Sequence, residues 1–406
     1  MNEIIRSKLR SALSGGGRIT FPPGLGEPAI LSDLPELLSD RDYELLIVGI
    51  DGAVREFGNF GTNVRIRSLY KKRGVDVSSY APVLYGSIPR LIERGAPLEI
   101  DIAIVRLSPA DANGFHNVGP TASVTGDMIK NARIVIAEID PDLPLTCGDT
   151  RIPTSLVCLQ VPASRPLQLS KDLPPEGFLE SAQTRARSVA SLVPDGAVLE
   201  VGVGSQAQAI LEELEDHRDL RVHSGLLSSA LHHLLVSPAA DPDWRAVIGD
   251  ANGPACLMEY VHLNPRLSFQ SSRIVHNPSH LARYDSFVTI NSVLAVDLLG
   301  RAACETSAGA WLGGIGGLHE FLEGGRLSPN GRNIIVLPSR SVRNRPRVVR
   351  ELPSADVSIP AYLIDFIVTE WGIADLRAAS RQERVERISA IMHPEDLLLC
   401  KDTEYL

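Results

Sequence analysis

The sequence predicts an α/β fold of two tandem doubly wound domains, and three observations carry that prediction. Short apolar runs of four to seven residues recur along the chain, stretches with helical periodicity separate them, and each half has a glycine-rich turn near its start. A nearly continuous apolar run marks a strand buried on both faces, which parallel sheets covered by helices require. At roughly 100–200 residues per domain, 406 residues suit two or three domains. With 44% hydrophobic and 22% charged residues, the chain has the balance of ordinary globular proteins and needs no disulfide or metal staple.

Taken in order, the expected strands are Tyr43–Gly49, Ile100–Val105, Ala132–Ala137, Ala197–Val203, Phe287–Ile290 and Asn333–Leu337. Expected helices are Glu27–Ser39, Ser87–Arg94, Gly177–Val193, Ser205–Asp216 and Ala379–Met392. Pro194 stops the third, because proline has no N–H to continue the ladder. The stretch Val161–Glu176 holds four prolines and no strong period, so it reads as a linker between domains at 1–176 and 177–406. Ser339–Ile359, rich in Arg, Ser and Pro, reads as a surface excursion.

The formal net charge is −9, and no block of Lys and Arg exceeds a triplet, which argues against a nucleic-acid partner. The five cysteines are scattered, with no CxxC pair, consistent with a reduced cytoplasmic setting. His217, His232 and His233 lack carboxylate or thiol neighbours at ligand spacing, so no metal site is expected. The N-terminus is charged from Glu3, and no apolar window reaches about 18 residues; neither a signal peptide nor a membrane span is expected.

Open parallel sheets bind ligands beyond the carboxyl ends of their strands. Three glycine-rich segments suit such places: Gly24-Leu25-Gly26, Gly202-Val203-Gly204, and Gly313-Gly314-Ile315-Gly316-Gly317. Glycine lets a backbone approach a ligand closely, and the N–H groups at a helix start suit phosphates or an oxyanion. Each segment also reads as a plain tight turn.

Longer motifs narrow the choice. The N-terminal half carries Leu107-Ser108-Pro109-Ala110-Asp111-Ala112-Asn113-Gly114-Phe115. The C-terminal half carries Ile290-Asn291-Ser292-Val293-Leu294, Ala303-Cys304-Glu305-Thr306, Gly314-Ile315-Gly316-Gly317, and Val368-Thr369-Glu370-Trp371-Gly372-Ile373-Ala374-Asp375-Leu376-Arg377. This ordered set resembles the acetyl-CoA hydrolase/transferase family, over nearly the whole chain. The resemblance implies two tandem CoA-transferase-like domains, an active site between them, and a homodimer. It also implies an acyl-CoA thioester as substrate with a small-molecule acceptor, and no permanently bound cofactor.

The family's transferases work through a glutamate that becomes a glutamyl-CoA thioester. That glutamate sits in a His-Thr-Glu-Met segment, and the matching residues here are His223-Ser224-Gly225-Leu226. Glycine has no side chain to form the thioester. Three consequences stay open: acyl transfer or hydrolysis without a glutamyl-CoA intermediate, an acyl-CoA binder or partner subunit without turnover, or a conventional transferase using a displaced glutamate. His223, Glu200 and Glu305 are the candidates for proton transfer or positioning. Gly24, Gly26, Gly202, Gly204, Gly225, Asn291, Gly314, Gly316 and Gly317 are the candidates for contact with substrate or CoA. Two further departures bear on the substrate contacts: Ala308-Gly309-Ala310 replaces the family's GGR, and Ala207 replaces the proline of its GIGxxP turn.

Overall fold

A computed structural model describes residues 3–38, 41–49, 60–70, 77–169, 180–202, 204, 206–307 and 309–401. Among the expectations above, Ser39, the 170–176 part of the linker, the 176/177 division, residues 177–179, Val203, Ser205 and Ala308 lie outside the described residues.

The strands, in chain order, are β1 Gly17–Phe21, β2 Tyr43–Ile47, β3 Val64–Ser68, β4 Ile102–Leu107, β5 Phe115–Asn117, β6 Ile134–Ile139, β7 Arg151–Pro153 and β8 Leu159–Pro162. They continue with β9 Val198–Val201, β10 Arg221–Leu227, β11 Ala246–Ala251, β12 Leu267–Phe269, β13 Phe287–Asn291, β14 Ala295–Asp297 and β15 Ala302–Ala303. The last six are β16 Thr306–Ser307, β17 Ala310–Trp311, β18 Arg332–Val336, β19 Val348–Val349, β20 Phe366–Thr369 and β21 Gly372–Asp375. All six strands expected from apolar runs form, as β2, β4, β6, β9, β13 and β18. Strands such as β1 and β10 carry Arg, Thr, His or Ser among their apolar residues, so they do not read as continuous runs.

The residues divide into two compact units, and the chain passes between them more than once. Unit 1 is Met1–Lys171 with Gly225–Leu227 and Arg245–Val275; unit 2 is Asp172–Ser224, Ser228–Trp244 and His276–Leu406. A single cut in the sequence cannot describe such a division.

In unit 1 the sheet order is β3-β2-β1-β4-β6-β8, parallel throughout. Its core gathers Leu9 and Leu13 from the first helix, Ile19 and Phe21 from β1, and Leu45, Ile102 and Ile136 from the neighbouring strands. Removing such side chains from water stabilises by roughly 1.5–3 kcal/mol each. The order turns around between β1 and β4, so the loops after these strands flank a switch point. β11 and β12 pair in parallel and belong to the same unit.

In unit 2 the strands run β10-β9-β13-β18-β20-β21, parallel except for the last pair. Here the turnaround lies between β9 and β13.

Two helical expectations need correcting in kind. Glu27–Ser39 is a 3-10 turn, Ala29–Asp33, followed by a single α-turn, Leu34–Leu37. Ser87–Arg94 is likewise a 3-10 turn, Tyr85–Ser87, leading into Ile88–Leu91. In each, a proline (Pro35, Pro89) occupies the first turn of the α segment, where its missing N–H is harmless but the preceding residue is restricted. Ser339–Ile359 is also not a mere surface excursion: Ser339, Val348, Leu352, Asp356 and Ile359 are buried, and β19 pairs with β14. Arg347 secures it, its Nε donating to the Leu294 carbonyl at 2.8 Å.

Candidate active site

Unit 2 places three of the expected residues in direct contact at its switch point. Glu200 on β9 stands in register with Thr289 on β13, and Asn291 ends that strand. The Asn291 side-chain amide donates to Glu200 Oε2 at 2.6 Å. Burial raises the Glu200 carboxyl to a pKa of about 8, against the smaller lowering effect of Asn291. Near neutral pH this side chain is therefore mostly a neutral acid, able to donate a hydrogen bond. Gly202 follows, its N–H bonded to the Ile290 carbonyl at 2.9 Å. A Cβ there would lie 2.3 Å from Asn291 Oδ1, so any side chain at 202 would displace the amide. Gly204 differs: a Cβ would meet nothing within 4 Å, and packing alone does not demand glycine.

His223, on β10, is fully buried. Its Nδ1 lies 2.9 Å from the Tyr284 hydroxyl, and the rings of Tyr284, His280 and Phe287 surround it with centroids 5.4, 5.8 and 6.2 Å away. Nearby His276 is lowered to a pKa of about 3, by burial first and then by His223. His276 is also why Gly317 is glycine: a Cβ at 317 would sit 2.1 Å from the imidazole Cδ2. Gly317 caps the helix Leu318–Leu327, and Gly316 before it has φ +64. Glu305 belongs to another part of unit 2, just before β16. Its backbone carbonyl accepts from Leu312 N at 2.7 Å and Gly313 N at 3.3 Å, pinning the start of the glycine loop. Its Oε2 is buried without a hydrogen-bond partner among the described residues.

Gly316→Val tests whether this loop meets the ligand. Its branched side chain fills the approach and is strained at positive φ, so acyl-CoA affinity is expected to fall roughly 10-fold or more, about 1.4 kcal/mol. Calorimetric titration of the folded variant checks this; unchanged affinity would assign the loop to packing.

Unit 1 holds Gly24, Gly26 and Gly225. Gly24 (φ +60) to Gly26 form a 3-10 turn after β1, beside the switch point. A Cβ on Gly26 would lie 2.5 Å from Thr121 Oγ1, so the turn packs tightly on the start of the helix Ala122–Asn131. Thr121 also bridges to Asp250 at the end of β11. The Gly225 carbonyl lies against Gly249, only 2.7 Å from where a Cβ would stand, and Ser123 Cβ is 3.5 Å from the same point.

Around these residues lies a polar cluster that sequence reading did not find. Ser123 Oγ donates to Asp250 Oδ2 at 2.5 Å, Ser123 N donates to Oδ1 at 3.1 Å, and the Tyr85 hydroxyl is 3.0 Å from Ser123 Oγ. Burial raises Asp250 to a pKa of about 6, and the Ser123 and Tyr85 donors oppose that rise. The sequence signal was faint: an aspartate at the end of a strand, 127 positions from its serine. Among the described residues no group of three or more His, Cys, Asp or Glu side chains is placed to hold a metal ion.

The same architecture recurs in solved proteins. RipA from Yersinia pestis superposes with a TM-score of 0.85 at 24% identity, covering 99% of this chain and 98% of that one. A 4-hydroxybutyrate CoA-transferase from Porphyromonas gingivalis gives 0.80 at 22%, covering 98% and 95%. These likenesses define the fold as the tandem α/β architecture of those structures. Residues 53–163 match the acetyl-CoA hydrolase/transferase N-terminal domain and residues 253–397 match its C-terminal domain; the chain belongs to this family. It is 29% identical to 4-hydroxybutyrate coenzyme A transferase of Clostridium kluyveri, over 97% of this chain and 94% of that protein. It is 28% identical to succinyl-CoA:cyclohexane-1-carboxylate CoA transferase of Geobacter metallireducens, over 95% and 91%. The acetyl-CoA hydrolase of Kluyveromyces lactis is 27% identical over 54% of this chain and 42% of its own length. No helix among the described residues is long and apolar enough to cross a membrane.

Proposed function

We propose that the protein moves acyl groups from CoA thioesters to water or a small acceptor by direct displacement, without a glutamyl-CoA intermediate. The observation that carries this reading is Gly225 on β10, at the position matching the family's reacting glutamate. A relative named as an acetyl-CoA hydrolase shares the family, so water as the acceptor lies within its chemistry. In direct displacement the acceptor oxygen bonds to the thioester carbonyl carbon, the C–S bond breaks, and the CoA thiolate takes up the proton. Glu200, as a neutral acid, suits donating a hydrogen bond while keeping its proton. Glu305 and His223 suit positioning, and the glycine turns suit the approach of thioester and CoA.

The test is incubation with a panel of acyl-CoA thioesters, following free CoA and acylated products by mass spectrometry, then adding hydroxylamine. CoA release is expected, with every glutamate peptide left unmodified. A hydroxamate on Glu200, Glu305 or another glutamate would restore the two-step route. Binding without release would make the protein a silent acyl-CoA binder.

A further inference from the structure

We propose that Asp250 is the general base of this displacement, held by Ser123 and Tyr85 beside Gly225; the inference rests on the acyl-CoA reading above. The geometry is contained within unit 1. Gly225 offers no reacting group of its own, yet its carbonyl packs on Gly249, the residue before Asp250. The nearest carboxylate along β11 is therefore placed next to the position that lost one. Ser123, which grips both oxygens of Asp250, is itself buried. A carboxylate held in place by Ser123, Tyr85 and the Ala122 backbone is fixed for receiving a proton. Its raised pKa, about 6, keeps it ionised at neutral pH and close to the optimum for a base.

Among the described residues, few other charges disturb it. Tyr85 is the titratable group facing it, with Tyr70 stacked edge-on behind at 6.4 Å between ring centroids. Asp127, farther along the serine's helix, is occupied by Arg273 at 2.8 Å and Ser271 at 2.6 Å. Gly225 and Leu226, from β10, are uncharged.

In the step itself, the acceptor O–H gives its proton to an Asp250 oxygen as its own oxygen bonds to the thioester carbon. The tetrahedral adduct collapses with loss of the C–S bond, and the proton passes from Asp250 to the CoA thiolate. With water, the products are a carboxylic acid and free CoA, and the aspartate is regenerated.

The experiment measures the pH dependence of CoA release and acyl-CoA affinity for wild type, Asp250→Asn, Ser123→Ala and Tyr85→Phe. Wild type should lose activity as pH falls through about 6. Asp250→Asn should lower kcat roughly 100-fold with affinity kept. Ser123→Ala and Tyr85→Phe each remove a donor that holds the carboxyl down, so their acid limbs should move to higher pH. If Asp250→Asn does not fold, the two limb shifts carry the test. Wild-type CoA release with Asp250→Asn within a few-fold of it, or acid limbs unmoved in both donor variants, overturns the assignment and leaves the acyl-CoA reading standing. Absence of CoA release from wild type overturns that reading and this inference with it.

Discussion

Gly225→Glu is expected to abolish turnover, lowering CoA release more than 1000-fold, without creating an efficient carboxylate acceptor activity. Two effects act together. The new side chain takes up the space that direct displacement reserves for the acceptor. It also sets a second carboxylate on the residue packed against Gly249, next in sequence to Asp250. A second carboxylate within about 4–6 Å would raise the pKa of Asp250 further and protonate at neutral pH a group already at about 6. A returned glutamate would gain several kcal/mol only if held in attack geometry, and one substitution seldom rebuilds the surrounding shell. Assays with acetate and succinate as acceptors decide the matter. Robust transferase activity, or a hydroxylamine-sensitive adduct formed on every molecule, would mean that only the nucleophile had been lost.

The second large effect concerns stability. Glu200 has a folded pKa of about 8, raised above 4.5 by burial. The folded state thus holds a proton that the unfolded state releases between these values. This contribution is fully present below about pH 4.5 and is lost as pH rises through about 8. Integrated over that window, the loss is on the order of 4 kcal/mol. Glu200→Gln keeps an acceptor for the Asn291 amide and cannot ionise. Between pH 5 and 9, wild type should therefore lose roughly 4 kcal/mol more than the variant. Denaturant titrations of both proteins across that range measure it; parallel curves would show that Glu200 is neither buried nor neutral as described.

How much of this was legible beforehand depends on the range of the interaction responsible. Burial on two faces writes itself into consecutive residues, so β2, β4, β6, β9, β13 and β18 were readable as apolar runs. The glycine turns were readable too, because glycine marks places where a backbone must bend or be approached. Their reasons were not. Gly26 yields to Thr121, Gly202 to Asn291 and Gly317 to His276, partners 95, 89 and 41 positions away in the sequence.

Strands whose side chains alternate or mix polar groups, such as β1 and β10, gave no run to read; pairing with neighbours makes them strands. Glu200 could be named from the sequence alone, but its proton could not. That depends on desolvation by the folded sheet and on one amide from β13.

The sequence by itself determined the fold class, the family, and the absence of a carboxylate at position 225, since each is a matter of residue types in order. Only the tertiary structure decided that Asp250 and Ser123 come together, with Gly249 packed on the Gly225 carbonyl. Ser123 and Asp250 are 127 positions apart and share no local pattern. They meet because the pairing of Thr121 with Asp250 lays the start of a helix against the end of β11, and buried polar groups must find partners where the chain brings them.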